Sequence, residues 1–535
     1  MHIRLVLGLV FLVPTMAVAQ EEHHHAPAPG EKLGSVHFAT SCSPAAQKEF
    51  ERALAMQHSF WYEESEGAFR AIVDKEPSCA IAGWGVAMSF YHPLWDPPSS
   101  ADLQRGQEAI AQAQAARART QRERDYVDAL AEFYRDWEHR DHRTRALAWS
   151  AALERVHRTY PDDLEATLFY ALSLIATQLP TDKALANNRR AADLLEPIFQ
   201  QHPDHPGVAH YLIHAYDSPA LAQYGVKAAR RYAQIAPSAP NALHMPSHIF
   251  TRLGLWDDSI QSNLASAASA RRYGEEQHLN TAWDEELHAE DYLIYAYLQE
   301  GQDAKAHAIY ERALKLANDS MTNKGQFALF SIPVRWFAER HAWKEAAAIE
   351  PTPQANPVPQ AISWWARAVG AARSGQTETA EAAVRQLASL RDRLQQHDTY
   401  WAGQVDILWL EAAGWLSRAG GDNEGALKSL TLAADREDAT DKNSVTPGGL
   451  LPAREQLADL QAELNQPKEA LANYRAALQS APRRFNSVYG AAHAAELAGD
   501  MDEARRFYRQ LADLCRNADG DRPELARART FLAQQ

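Results

Sequence analysis

The chain has 535 residues, 46% of them hydrophobic, which is enough for a large buried core and, at ordinary domain sizes, for several domains or one long repeat array. That composition excludes a disordered protein. With 69 acidic against 54 basic side chains the formal net charge is −15 at pH 7, so the chain lacks the basic footprint of a phosphate-backbone binder, and nucleic acid is not an expected partner.

In chain order, the first element is "MHIRLVLGLVFLVPTMAVA", residues 1–19. Arg4 supplies a short positive region, Leu5 to Met16 an apolar core, and Ala17-Val18-Ala19 a small-x-small cleavage site, a pattern that predicts a signal peptide cut after Ala19 and a periplasmic or secreted mature protein. The apolar stretch is too short for a membrane span and no other run approaches eighteen apolar residues, so no transmembrane segment is expected. Residues 20–40, which contain "EEHHHAPAPG", read as a flexible histidine-containing tail. Two aromatic clusters follow. "MQHSFWYEES" carries His58, Phe60, Trp61 and Tyr62, and "MSFYHPLWDPP" carries His92, Trp95 and Asp96. His58, Tyr62, His92 and Trp95 are candidates for lining a ligand pocket, with plain core packing as the alternative.

The rest of the chain repeats. A small residue opening an amphipathic helix recurs at Ala191, Gly225 and Ser259, at Ala346 and Ala380, and at Ala470 and Ala504, always 34 residues apart. Proline follows that type of position by twelve residues at Pro77, Pro203, Pro237 and Pro482, where a second helix should end. This spacing resembles the tetratricopeptide repeat, a 34-residue helix-turn-helix unit, in a protein of the exported bacterial type. The resemblance implies an all-α tetratricopeptide-repeat solenoid, an α-α superhelix whose first helices line an extended concave face that binds peptides or partner proteins. The spacing divides the mature chain into an N-terminal array over 41–349, a proline-rich loop over 350–361 that includes "EPTPQANPVPQ", and a C-terminal array over 362–535. Among three cysteines, Cys42 and Cys79 are the candidate disulfide, since 37 residues is one repeat plus one helical turn; three buried free thiols, Cys515 included, is the alternative.

The candidate functional residues come from the repeat register. "HYLIHAYD" places His210 and His214 four apart, and "HMPSHIF" repeats the pair 34 residues later as His244 and His248. Among 22 histidines roughly one such pair arises by chance, but a second pair in register does not. His210 and His244 sit fifteen residues before Gly225 and Ser259, and the same count before Ala306 reaches Asp291; the eleven-residue count gives His214, His248 and Tyr295. Residues i and i+4 share a helix face, so three adjacent first helices should present these residues in two rows, with His288 one turn before Asp291. Imidazoles with a carboxylate suit a divalent zinc, copper, iron or nickel ion, which makes His210, His214, His244, His248, His288 and Asp291 candidate metal ligands, with Tyr295 in the adjoining pocket. Tyr211 and Met245 stand where a zinc protease of the His-Glu-x-x-His type needs its glutamate, which excludes that hydrolytic route. Two alternatives stay open: a metal-independent peptide-binding scaffold and a metal-dependent enzyme.

Overall fold

The computed structural model describes residues 30–94, 97–279, 282–316 and 322–534. The expected signal peptide, His23, His24 and His25 of the N-terminal segment, and Trp95 lie outside the described residues. Among those described, the regular structure is all helix, from Pro44–His58 to Pro523–Ala533, with no strand. Successive helices pair antiparallel, as in Pro206–Tyr216 with Ala222–Ile235 and Phe485–Leu497 with Met501–Leu514. The 34-residue marks have a packing cause. Ala191, Ser259, Ala380, Ala470 and Ala504 are fully buried, and at Gly225 a Cβ would lie 2.7 Å from the Ile249 side chain, so only small residues let neighbouring helices approach this closely. Pro77, Pro203, Pro237 and Pro482 each stand two residues beyond a helix end.

Three differences from the sequence reading matter. First, residues 31–40 are not a tail. Leu33, Val36 and Phe38 are buried in the N-terminal core, while Lys32 and Ser35 donate backbone N–H groups to Ser238 Oγ and the Asp204 carbonyl. Second, the loop expected over 350–361 ends at Asn356. The next helix is Pro357–Arg373, whose first turn holds Pro357 and Pro359, where a missing N–H costs little. Third, the concave face is covered. Helix Asp284–Gln299 is buried from Glu285 to Gln299, because the C-terminal repeats fold back onto it. The irregular segment 440–452 crosses the hollow: the Tyr292 hydroxyl reaches the carbonyls of Ser444 and Thr446 (3.3 and 3.2 Å), Arg252 pairs with Asp441 (2.9 Å), and the Asp441 N–H donates to the Pro180 carbonyl (2.9 Å).

Buried apolar residues form three clusters. One runs from Leu33 to Phe250, one joins Trp256–Trp336 to Ala458–Phe531, and one runs from Phe327 to Leu460 across the proline-rich segment. A disulfide joins Cys42 and Cys79, tying the entry of the first helix to the start of the third. Closing a loop of this length constrains the unfolded chain, so reduction, or the Cys42→Ser/Cys79→Ser variant, is expected to destabilise the N-terminal cluster by about 2–4 kcal/mol. Urea titration with and without reductant measures it; coincident transitions would contradict it.

Candidate metal centre

The two histidine pairs lie side by side and share a close Nε2 approach, although the rings cross at 42° in the first and 86° in the second. His210 and His214 ride one continuous helix, and their Nε2 atoms are 3.1 Å apart. His244 ends the short helix Pro240–His244 and His248 sits in Pro246–Arg252, so Pro246 falls in a first turn and does not disturb the pair. Their Nε2 atoms are 3.0 Å apart. His214 and His248 bring the pairs together, with ring centroids 6.0 Å apart. On the third helix His288 meets His244 at 4.3 Å and Tyr292 meets His244 and His248 at 4.8 and 5.2 Å between centroids.

The third helix therefore enters one turn earlier than the count from Ala306 implies. His288 and Tyr292 each lie 44 residues after His244 and His248, so of the thirteen residues by which this repeat exceeds 34, ten precede the row and three follow it. Asp291 is displaced from the histidines as a result. Its carboxylate takes the buried Arg335 guanidinium (Nε to Oδ1, 2.7 Å), and Arg335 also bonds Thr446 Oγ1 and the Gly449 carbonyl. Asp291 is corrected from candidate ligand to structural ion pair. Tyr295 is likewise no pocket residue: it is buried between the guanidinium groups of Arg335 and Arg484, 5.1 and 5.6 Å from its ring.

Hydrogen-bond direction decides what the second pair can do. His244 Nδ1 lies 2.6 Å from Asn263 Oδ1, and the Asn263 amide donates to the Ser259 carbonyl, so its oxygen can only accept and His244 carries its proton on Nδ1. His248 Nδ1 lies 2.8 Å from Asp217 Oδ2, again an acceptor. Both neutral rings then present bare Nε2 lone pairs to each other at 3.0 Å. A proton or a cation must lie between them. Burial, foremost, holds His244 well below its ordinary pKa and lowers His248 too, although Asp217 opposes this for His248. A bound cation satisfies both lone pairs, and two nitrogens sharing one tetrahedral ion at about 2.0–2.1 Å stand about 3.3 Å apart. His288 supplies a third nitrogen; the ligand atoms of His244, His248 and His288 all lie within 4.8 Å of one another. Asp217 and Asn263 are the outer groups that orient such ligands. Burial pushes the Asp217 carboxyl up, but Lys442, Arg252 and the His248 hydrogen bond outweigh it and hold the group ionised.

The first pair does not force this conclusion. His210 Nδ1 donates to the His58 carbonyl (2.6 Å), and its Nε2 can accept an ordinary hydrogen bond from His214. The backbone that aims this carbonyl is unusual: Phe60 has φ +54°, a left-handed conformation a bulky residue adopts only at a cost. It stacks its ring over His210 and His214, with centroids at 4.3 and 5.6 Å.

A second buried group, His58, Glu165 and His205, is hydrogen-bonded at every ring nitrogen but His205 Nδ1, which is buried without a partner. Both imidazole Nε2–H groups donate to Glu165 (2.8 and 2.9 Å), and the Tyr211 hydroxyl bonds His58 Nδ1 at 2.8 Å. Burial would raise the Glu165 pKa, but the two imidazoles hold it below the carboxylate range. His58 is thus part of a structural network, tight enough that a Cβ on Gly207 would lie 2.6 Å from its ring. Tyr62 and His92, stacked at 4.3 Å, do line a cavity of about 500 Å³.

Sequence reasoning missed Asp217, Asn263, Glu165 and His205. Asp217 closes the quoted "HYLIHAYD", but it serves His248 of the next repeat, 31 residues on. That offset, three short of 34, is the one signal that could have revealed it.

In metal-free protein the cluster sets a pH dependence. Burial holds His210 down to about 3 and keeps His214, His244 and His288 well below their ordinary value, while the unfolded chain takes up these protons near pH 6.5. Below that pH the unfolded state binds more protons, so stability is full above about 6.5 and falls as the solution is acidified toward the folded values. Each group contributes a slope of about 1.4 kcal/mol per pH unit. The carboxyls of Glu63, Glu290, Glu437 and Asp459, raised by burial to about 7, act in the opposite sense over this range, so the cluster's share is read by difference. In chelated protein, replacing His214 and His288 by Gln should reduce the loss of urea midpoint between pH 7 and pH 5; an unchanged profile would contradict the neutral buried cluster.

No protein-family model matches the chain, and no curated protein matches it. Two solved structures that align with most of it are human IFIT1 dimers, one with m7Gppp-AAAA and one with PPP-AAAA. They are 14% and 13% identical, cover 90% and 88% of this chain and 92% and 89% of theirs, and give a TM-score of 0.35 each. Among the described residues no helix is long and apolar enough to cross a membrane. The IFIT1 likeness is one of helical build and bears on no ligand; from its own helix pairs and 34-residue spacing, the chain is a tetratricopeptide-like helical-repeat solenoid.

Proposed function

We propose that this chain is an exported member of the tetratricopeptide-repeat family that holds a divalent transition metal on His244, His248 and His288, with His214 at its edge and one coordination position left for a ligand. The observation that carries the reading is the 3.0 Å approach of two Nε2 atoms whose rings have both committed their Nδ1 protons elsewhere. Three neutral imidazoles suit zinc, copper, iron or nickel, and a three-nitrogen site with an open position is a ligand-binding or catalytic arrangement. The Cys42–Cys79 disulfide and the N-terminal signal pattern support a periplasmic or secreted location. In chain order the repeats form an array over 41–349 and another over 362–535, and one apolar cluster, Phe327 to Leu460, spans the proline-rich segment between them.

The second reading is a metal-independent scaffold for a peptide or protein partner. It is favoured by the His210–His214 contact, which an ordinary hydrogen bond explains. Elemental analysis of untagged mature protein, before and after chelation and reloading, separates the two: about one equivalent of ion per chain supports the metal centre, and none after reloading with all four metals supports the scaffold.

A further inference from the structure

The cavity lined by Tyr62 and His92 has a floor of one charge and walls of another kind. Glu63, Asp102, Asp284, Glu285 and Asp398 bring five carboxylates to it, and Lys324 is the one lysine or arginine among its described lining residues. Lys324 Nζ contacts Glu285 Oε1 at 2.6 Å and Asp284 Oδ1 at 3.4 Å, which leaves the floor short of positive charge. Two of its carboxylates are under-used. The Glu285 side chain is only 8% exposed, and its Oε2 has no hydrogen bond; the Asn241 carboxamide stands near enough to favour the charged form but outside bonding geometry. Glu63 opens onto the cavity yet is hemmed in by protein, and burial together with neighbouring Asp284 pushes its carboxyl up to about 7. The same lining carries aromatic rings: Tyr62 stacked on His92, Phe327 and Trp401.

We infer that this cavity binds a small molecule bearing a primary ammonium on an aromatic or apolar body, with the ammonium between Glu285 and Glu63 and the body against Tyr62, Phe327 and Trp401. An ammonium donates up to three hydrogen bonds, which suits the Glu63 carboxylate open to the cavity, with the Glu285 carboxylate beside it adding negative charge. Phe327, Trp401 and the edge of Tyr62, whose two faces are covered by Phe60 and His92, bury its apolar body. The site stands on these residues alone, whether or not an ion occupies the histidines.

Calorimetric titration of full-length mature protein with 2-phenylethylamine tests this, with 2-phenylethanol and 3-phenylpropanoate as neutral and anionic matches of similar shape. The amine is expected to bind at least tenfold more tightly than either. A tripeptide amide beginning with phenylalanine distinguishes the source of the ammonium: comparable binding assigns a peptide N-terminus as the ligand, and weaker binding a free amine. Glu285→Gln should weaken the amine at least tenfold, and Glu63→Gln, at a position open to the cavity and safe for folding, should weaken it severalfold. Equal affinity for the alcohol or the acid, no detectable amine binding, or unchanged amine affinity in a folded Glu63→Gln protein would overturn the inference. Repeating the titration on His244→Ala/His248→Ala protein keeps it separate from the metal centre, since amine affinity should persist there.

Discussion

His244→Ala/His248→Ala protein will lose its stoichiometric metal, falling from about one equivalent per chain to less than a tenth, while His210→Ala protein will keep it. The contrast follows from the hydrogen bonds. His244 and His248 direct unprotonated Nε2 atoms at each other because Asn263 and Asp217 hold their Nδ1 protons. His210 has a normal partner at both nitrogens, the His58 carbonyl and His214. Deleting two of three first ligands removes most of the binding free energy, whereas deleting His210 removes a hydrogen-bonded neighbour. Asp217→Asn, which keeps an acceptor but weakens it, should lower metal affinity by about 10–100-fold, the range seen when outer-shell partners are changed. Circular dichroism checks that helicity is retained. Metal loss in His210→Ala as complete as in the double variant would show that the two pairs form one undivided site.

Arg484→Ala will destabilise the docking of the C-terminal repeats by about 3–5 kcal/mol. The guanidinium is fully buried and serves two carboxylates at once. Its nitrogens reach Glu339 at 2.8 and 3.1 Å and Glu455 at 2.8 and 3.1 Å, and a further bond goes to the Tyr295 hydroxyl at 2.9 Å. Removing the cation leaves Glu339 and Glu455 buried without compensation, which costs more than the pair contributed. The loss should appear in denaturant unfolding and as faster amide exchange in helices Asp284–Gln299 and Asn323–Ala338, which the C-terminal repeats cover. Exchange confined to the helix bearing Arg484 would show that the contact is local.

The repeat was legible because each unit repeats the same close approach, so small residues at Ala191, Gly225 and Ser259 carry a period that needs no knowledge of distant contacts. Closure of the solenoid was not. Arg484 to Glu339, Trp256 to the Arg483 carbonyl and Tyr292 to Thr446 join residues 145, 227 and 154 positions apart, and contacts made once leave no periodic mark. The same distinction runs through the site. The two histidine pairs lie in regular repeats and come side by side as the spacing implies. Asp291 does not, because the thirteen extra residues of its repeat are split around the row and their division is set by packing. The apolar spacing of Leu33, Val36 and Phe38 could have revealed the ordered N-terminal strap, but the polar, proline-rich stretch just before it masked that signal.

One ion held between His244 and His248 is what the hydrogen bonds require. X-ray absorption at the metal edge of the zinc-loaded protein tests this most directly, together with anomalous diffraction to place the ion. Three imidazole nitrogens at about 2.0–2.1 Å are expected, with the anomalous peak between His244, His248 and His288. A peak at His58, Glu165 and His205, or a first shell of oxygens with no imidazole scattering, would contradict it.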